Sequence, residues 1–178
     1  TAADLLAAAR AKPGALNYAS PGAGTPHHMS MEMLKSVNKV FITHIAYRGT
    51  APALTDLLAG HIPTTFVPIS EAHAQATNPN MRMLAVSSGQ RSMRLPDVPS
   101  IAETYPSYHA VSWTGMLAPV GTPKAIVDRI AAVMVHAVKD PKFVEQLRNS
   151  GIEPLAEGSE KFAAMIASEI PIWAEAVR

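Results

Sequence analysis

Ser20-Pro21-Gly22-Ala23-Gly24-Thr25-Pro26 separates a short apolar run at residues 16–19 from a helical pattern that begins at His27. Glycine allows backbone conformations that other residues avoid. Thr25 followed by Pro26 predicts a helix N-cap with proline at the first helical position. Free backbone N–H groups would then face outward beside the positive end of the helix dipole, where a carboxylate or phosphate is stabilised. The stretch predicts an anion-binding loop, and an ordinary strand-to-helix turn that binds nothing is the alternative.

The composition is that of a globular chain. Of its 178 residues, 48% are hydrophobic and 16% are charged, which is enough to bury a core in one large or two small domains. The net charge of +1 and the scattered Lys and Arg residues disfavour nucleic acid as a partner. No apolar run approaches the roughly 18 residues of a membrane span, and the first residues do not show a positively charged segment followed by an apolar signal core.

Metal, thiol and hydrolase chemistry are also disfavoured. The chain has no cysteine, which excludes disulfides and thiol nucleophiles, and its seven histidines form no H-x-x-x-H pair. Ser20 lies in no G-x-S-x-G motif, and no lysine follows the glycines as in a P-loop. His28 and Glu32 share a helix face, which fits an acid/base pair but also a solvated or capping contact. We therefore predict no metal and no cofactor.

Strand-like and helix-like runs alternate around the loop. The helical pattern after it has an apolar stripe at Met29, Met33 and Val37. Pro63 and Pro68 mean that the second predicted strand is broken or lies at a sheet edge. This order predicts an α/β fold with a largely parallel sheet. The predicted helices cover residues 1–11, 27–38 and 52–58, and the predicted strands cover residues 40–46, 62–69 and 83–87.

The last part of the chain is predicted to be mainly helical. Periodicity disappears over the proline-containing residues 88–112, which predicts a connection between two lobes. One strand is predicted after it, at 111–119. Because one strand cannot cover several helices, we expect their apolar faces either to meet another copy of the chain or to be disordered. The predicted helices cover residues 122–139, 140–151 and 159–177, with a bend at Pro171.

Four separated motifs resemble those of one protein family. The first two are Tyr18-Ala19-Ser20-Pro21-Gly22-Ala23-Gly24-Thr25 and Ile45-Ala46-Tyr47-Arg48-Gly49-Thr50-Ala51-Pro52-Ala53-Leu54-Thr55-Asp56-Leu57-Leu58-Ala59-Gly60. The others join Arg91 to Leu95-Pro96-Asp97-Val98-Pro99-Ser100, and Trp113-Thr114-Gly115 to Ala118-Pro119-Val120-Gly121-Thr122-Pro123. In order and spacing, from about Thr1 to Arg178, the chain resembles the solute-binding receptors of tripartite tricarboxylate transporters, the Bug family.

The resemblance implies a periplasmic receptor and not an enzyme. Such receptors have two α/β lobes of the type II periplasmic-binding-protein kind, which close on a ligand like a Venus flytrap, and they deliver a small carboxylate to permease subunits in the membrane. Residues 1–112 would be the second lobe and 113–178 the carboxy-terminal part of the first lobe, whose amino-terminal part is missing. A truncated structural or regulatory module that associates with another chain is the alternative, and an enzyme that uses His28 and Glu32 ranks third.

The resemblance also implies a set of ligand-binding residues. In such receptors a glycine loop of the second lobe holds the ligand carboxylate through backbone N–H groups and hydroxyls. In this sequence the matching residues are Ser20, Gly22, Ala23, Gly24 and Thr25.

Further ligand contacts are expected from two other segments. Tyr47-Arg48-Gly49 resembles the family's Tyr-Lys-Gly turn, so Tyr47 and Gly49 are predicted to bind the ligand. Packing in the hinge is the alternative for Tyr47, and Arg48 is interpreted as a surface charge. Many family members have acidic residues that meet the ammonium of an amino-acid ligand, at positions that Pro63 and Val67 occupy here. We therefore expect Val67 to line the site and the ligand to be a carboxylate without an amino group.

Overall fold

The computed structural model describes residues 1–108, 110–155 and 157–176. They form two compact units, one over Thr1–Ser112 that also takes in Ala176, and one over Trp113–Glu175. The assignment of these segments to two receptor lobes stays a prediction. The elements are α1 (Ala2–Ala11), β1 (Asn17–Ser20), α2 (Pro26–Asn38), β2 (Thr43–Ala46), α3 (Thr50–Leu58), α4 (Ile69–Ala74), a short 3-10 helix (Ile101–Glu103), α5 (Lys124–Ala137), α6 (Pro141–Asn149) and α7 (Ser159–Ala176).

A parallel pair of strands organises the first unit. β1 and β2 pair in parallel with α2 between them in sequence, and the register places Tyr18 opposite His44 and Ser20 opposite Ala46. A parallel pair needs such a crossover because its strands cannot be joined by a tight turn. The predicted α/β fold class with a parallel sheet is confirmed, although β2 begins at Thr43 rather than at residue 40.

The predicted strand at 83–87 is wrong, whereas the predicted break in the strand at 62–69 is confirmed. Over residues 62–69 the only pairing among the described residues is a parallel bridge between Ala19 and Thr65, and α4 already begins at Ile69. Prolines 63 and 68 explain this, because proline has no N–H to donate to a strand ladder. Over residues 83–87 the described pairing is likewise one bridge, between Val86 and Ser100.

Residues 88–112 are a packed part of the first unit and not a loose connection, which corrects the prediction. Leu95, Ile101 and Tyr108 are buried there. Arg91 forms a two-point ion pair with Glu103, at 2.7 and 2.8 Å, that lowers the pKa of Glu103 to about 2. The burial is irregular and follows no helix or strand period, so pattern analysis does not detect it.

The core of the first unit lies between its helices and β1. Leu6 of α1, Met31 and Leu34 of α2 and Tyr18 of β1 are almost fully buried. Met33 of the predicted α2 stripe is buried as well, whereas the other two stripe positions are half-buried. The helical stripe therefore faces the core, as the periodicity predicted.

The helices of the second unit begin where the sequence predicts. Asp140 caps α6, with Pro141 at its first position, and Gly151 follows its end with φ of +80°. The predicted strand at 111–119 is wrong, because the described residues there form no ladder. Trp113 instead packs edge-on against Phe162, with 5.0 Å between ring centroids. The last helix is described to Ala176, and positions 177 and 178 lie outside the described residues.

No helix within the described ranges is long and apolar enough to cross a membrane.

Candidate functional site

The 20–25 loop joins the carboxyl end of β1 to the first turn of α2. Thr25 is the N-cap of α2, and its hydroxyl accepts the His28 N–H at 3.4 Å and donates to the Gly22 carbonyl at 2.7 Å. Pro26 follows at the first helical position. The predicted cap is therefore confirmed, and its local interactions span only three residues, which is why the sequence reveals it.

Two glycines give the loop its shape. Gly22 has φ of +150° and Gly24 has φ of +75°, which are backbone conformations that L side chains rarely adopt. At Gly24 no atom lies within 4 Å of a Cβ position, so the conformation and not the available space requires glycine there.

Several of the loop amides are not free, which corrects the prediction that they face outward without partners. The Gly22 N–H donates to Ser20 Oγ at 3.2 Å, and the Gly24 N–H donates to His28 Nδ1 at 3.1 Å. The Thr25 N–H donates to the Gly22 carbonyl at 3.3 Å. Acceptors within the protein therefore already bind these N–H groups, which were expected to bind an anion.

Two amides at the mouth of α2 remain open. Among the described residues, neither the Ala23 N–H nor the His27 N–H has an acceptor, and Ala23 is exposed. His27 is the second residue of α2, and Ala23 lies two residues before its N-cap, beside the helix end where the aligned peptide dipoles place partial positive charge. These two N–H groups have no protein acceptor to give up when they bind an anion.

Ser20 lies inside the first unit and not on its surface. Its side chain is fully buried, and Oγ lies 2.6 Å from His44 Nε2 and 3.1 Å from the Gly22 carbonyl oxygen. The hydroxyl thus holds the loop to β2. Its direct contact with a ligand stays a prediction.

The turn after β2 is tied to the same loop. The Tyr47 N–H donates to the Ser20 carbonyl at 2.8 Å, and the Gly49 N–H donates to the Pro21 carbonyl at 3.2 Å. Gly49 is also the N-cap of α3, with φ of +114°. The structure therefore brings Tyr47 and Gly49 beside the loop, as expected for residues of one site.

The Tyr47 side chain has a packing role. Its hydroxyl donates to Asp56 Oδ2 at 2.6 Å, and its ring packs against the buried cluster of Ala19, Ala53 and Ile62. This hydrogen bond, followed by one from His61, lowers the pKa of Asp56. These contacts agree with the packing alternative for Tyr47, and its neighbour Arg48 is exposed.

Val67 lies on the other side of β1 from β2. The Ala19 N–H donates to the Thr64 carbonyl at 3.0 Å, and Thr65 Oγ1 donates to the Ala19 carbonyl at 2.9 Å. Since this bridge is parallel, the chain beyond Thr65 runs in the same direction as β1, which leads into the loop. Val67 is half-buried there, whereas Pro63 is exposed. Their proximity to a ligand stays a prediction.

Beneath the loop lies a cluster of ionisable side chains that sequence analysis largely missed. The Tyr18 hydroxyl donates to Glu32 Oε1, and Lys35 Nζ donates to both Glu32 oxygens at 2.6 and 2.7 Å. The His44 ring stacks on Tyr18 with 4.8 Å between centroids and lies 4.1 Å from the His28 ring centroid. The i,i+3 spacing of Glu32 and Lys35 was visible in the sequence, but the arrival of His44 depends on the strand register.

The cluster shifts the pKa values of its members. Burial, and then the Glu32 carboxylate, raises the pKa of Tyr18. Burial also acts to raise the pKa of Glu32, but the hydrogen bonds from Lys35 and Tyr18 together lower it. Burial and the neighbouring His28 lower the pKa of His44. The cluster therefore holds an ionised Glu32 next to a neutral His44.

His28 and Glu32 are poorly placed for acid/base chemistry. His28 Nε2 lies 3.7 Å from Glu32 Oε1, and the other ring nitrogen accepts the Gly24 N–H. The hydrogen bond from the Gly24 N–H is a contact of the capping kind, which the sequence left open as the alternative for His28. Within the described part of the chain, no group of three or more His, Cys, Asp or Glu side chains could hold a metal ion.

The family model described as tripartite tricarboxylate transporter family receptor matches residues 1–178. The chain belongs to this family. The family model describes receptors.

Relatives of known structure share the fold over nearly the whole chain. Rpa4515 of R. palustris, solved with adipate, superposes with a TM-score of 0.84 at 30% identity over 99% of this chain and 59% of that one. MatC from Rhodopseudomonas palustris, solved with bound malate, has a TM-score of 0.80 at 25% identity over 99% of this chain and 61% of that one.

A curated relative from Pseudomonas sp. strain P51, a UPF0065 protein in the tcbD-tcbE intergenic region, is 36% identical over 171 residues, which is 95% of this chain and 51% of its own length. The chain spans about half the length of the curated relatives that it matches most strongly.

Proposed function

We propose that this chain acts in a periplasmic solute-binding receptor that holds a small carboxylate at the 20–25 loop. The observation that carries the proposal is the pair of open amides, Ala23 N–H and His27 N–H, at the capped N-terminus of α2. A carboxylate placed there gains charge-assisted hydrogen bonds in the favourable end of the helix dipole. The adipate and malate bound by the two structural relatives are acids of this class.

The proposal includes delivery of the ligand to the permease subunits of a tripartite tricarboxylate transporter, as the family description suggests. It also includes the assignment of residues 1–112 to the second lobe and 113–178 to the carboxy-terminal part of the first. Tyr47, Gly49 and Val67 would complete the site beside the loop.

The ligand is proposed to have no amino group. Pro63 and Val67 have no charge to offer a ligand ammonium, and an ammonium buried without a partner costs several kcal/mol. Thermal unfolding should therefore shift upward more with succinate than with aspartate. A larger shift with aspartate would contradict this choice of ligand.

A glycine variant tests the loop directly. Gly24→Val should abolish the calorimetric heat of adipate and malate binding, because valine does not adopt the φ of +75° that shapes the loop. Gly60→Val is the matched control, since Gly60 has φ of +77° and an equally open Cβ position at the end of α3. Equal binding by the Gly24→Val variant and the unmodified chain would overturn the loop as the carboxylate site.

A second candidate function is a structural module that associates with another copy of the chain. It is favoured by large apolar side chains of α5 that are 41 to 60% exposed: Ile126, Ile130, Val133 and Met134. Contiguous exposed apolar surface commonly marks an interaction site. Light scattering tests it, since a dimer that dissociates when Ile130 and Val133 are changed to serine supports association and a monomer at all concentrations contradicts it.

A further inference from the structure

The His28 ring accepts a hydrogen bond from one of the loop's backbone N–H groups. Its Nδ1 accepts the Gly24 N–H at 3.1 Å, one helical turn from the glycine. A nitrogen that accepts a hydrogen bond carries no proton, so the neutral ring has its proton on Nε2. Nε2 in turn faces Glu32 Oε1 at 3.7 Å.

The surroundings of His28 come from three elements. His44 of β2 lies with its ring centroid 4.1 Å away, and the Tyr18 ring of β1 lies at 6.3 Å. From α2 itself come the Glu32 carboxylate and Lys35, whose ammonium is bound to that carboxylate. Glu32 is thus the anion nearest to the ring, and Lys35 is the opposing charge.

We propose that a carboxylate bound at the loop displaces His28 Nδ1 from the Gly24 N–H, and that the freed nitrogen takes up a proton. This inference rests on the proposed function. The proton comes from solvent or buffer, and the ring changes from imidazole to imidazolium with no other bond formed or broken. The new N–H can donate to the ligand carboxylate that replaced the ring.

Two features of the cluster support a charge on His28 in the bound state. The Glu32 carboxylate lies beside Nε2, where it stabilises an imidazolium. His44 has its pKa lowered by burial and by His28, so it stays neutral and adds no second charge to the stacked rings. The ligand carboxylate supplies a further negative charge on the opposite side of the ring.

Linkage gives the direction of the pH effect. If the bound state holds one more proton than the free state, affinity increases as pH falls and decreases as pH rises. With one proton taken up, affinity changes by about tenfold per pH unit at most. In the unliganded protein the neutral His28 ring thus competes for the Gly24 N–H, and a proton on Nδ1 removes this competition.

The proton can be counted by calorimetry. Adipate is titrated into the 178-residue chain at pH 7 in two buffers that differ in ionisation enthalpy and contain no carboxylate or phosphate. We expect an uptake of between zero and one proton for the unmodified chain. His28→Asn should reduce it to zero, because the asparagine oxygen can accept the Gly24 N–H but cannot take a proton. His73→Asn, at an exposed position of α4, is the control and should keep the uptake.

The outcomes separate this inference from the proposed function. Binding heat without proton uptake, or uptake that persists in the His28→Asn variant, overturns the inference alone. Absence of heat with both adipate and malate overturns the proposed function and removes this inference with it. A measurement without ligand tests the contact itself: the Gly24 amide resonance should titrate with the same midpoint as the His28 ring, and a Gly24 amide that does not respond to pH overturns the proposed competition.

Discussion

The two compact units differ in how their apolar residues are covered. In the first unit, several residues of α1, β1 and α2 are almost completely removed from solvent, whereas in Trp113–Glu175 none of the described residues is buried. Yet the second unit forms its helices close to the predicted positions, and Asp140 caps α6. Helix formation here follows from local sequence, and burial requires partners from distant sequence.

The largest expected effect is the loss of a buried side chain in the first unit. Leu34→Ala should lower the free energy of unfolding by about 2–5 kcal/mol, since Leu34 is 2% exposed and its removal leaves a cavity. Ile126→Ala in α5, where the isoleucine is 51% exposed, should cost much less. Urea denaturation followed by circular dichroism measures both, and equal losses would show that the second unit's apolar face is covered in solution.

A glycine in the second unit gives the next largest effect. A Cβ at Gly115 would lie 2.1 Å from Phe162 Cζ, so Gly115→Ala must displace the ring that packs against Trp113. Overpacking of a core costs about 1–3 kcal/mol, and we expect the lower end of this range because the displaced atoms are the far end of the half-buried Phe162 side chain. Trp113 fluorescence during urea denaturation reports it. Gly89→Ala is the control, because nothing lies within 4 Å of that Cβ position, and a similar midpoint for the two variants would mean that the Phe162 contact stabilises nothing.

The smallest effect concerns the ionisable cluster of the first unit. Because the folded protein lowers the pKa of Glu32, the unfolded chain binds this proton more readily. The stability that Glu32 contributes is present above its ordinary pKa of 4.5 and is lost as pH falls through the lower folded value. Glu32→Gln should therefore lower stability at pH 7 and flatten its decrease in acid, measured as urea midpoints from pH 7 to pH 3.

Glu175→Gln is the control for the acid titration, since Glu175 is an exposed carboxylate in the second unit. An acid profile of the Glu32→Gln variant that matches the profile of the unmodified chain would show that the hydrogen bonds to Glu32 contribute no pH-dependent stability.

Much of the site could be predicted because its interactions are local. The Thr25 cap with Pro26, and the glycines that give the loop its positive φ angles, act within a few residues of one another. Strand continuity could not be predicted, for the opposite reason. Residues 62–69 and 83–87 have apolar composition suitable for strands, but each makes one bridge among the described residues, because pairing depends on a distant partner and on available N–H groups.

The amino-acid sequence by itself determined most of the helices, the Thr25 and Asp140 caps, the position of the glycine loop and the family resemblance. Only the tertiary structure decided which groups of the loop form hydrogen bonds within the protein. The parallel register, with Tyr18 opposite His44, brings His44 Nε2 to 2.6 Å from Ser20 Oγ across 24 residues of sequence. The tertiary structure also decided that the Gly24 N–H donates to His28, whereas the Ala23 N–H has no acceptor among the described residues. Caps depend on neighbours three or four residues apart, whereas these contacts depend on how two strands align, and no local pattern encodes that alignment.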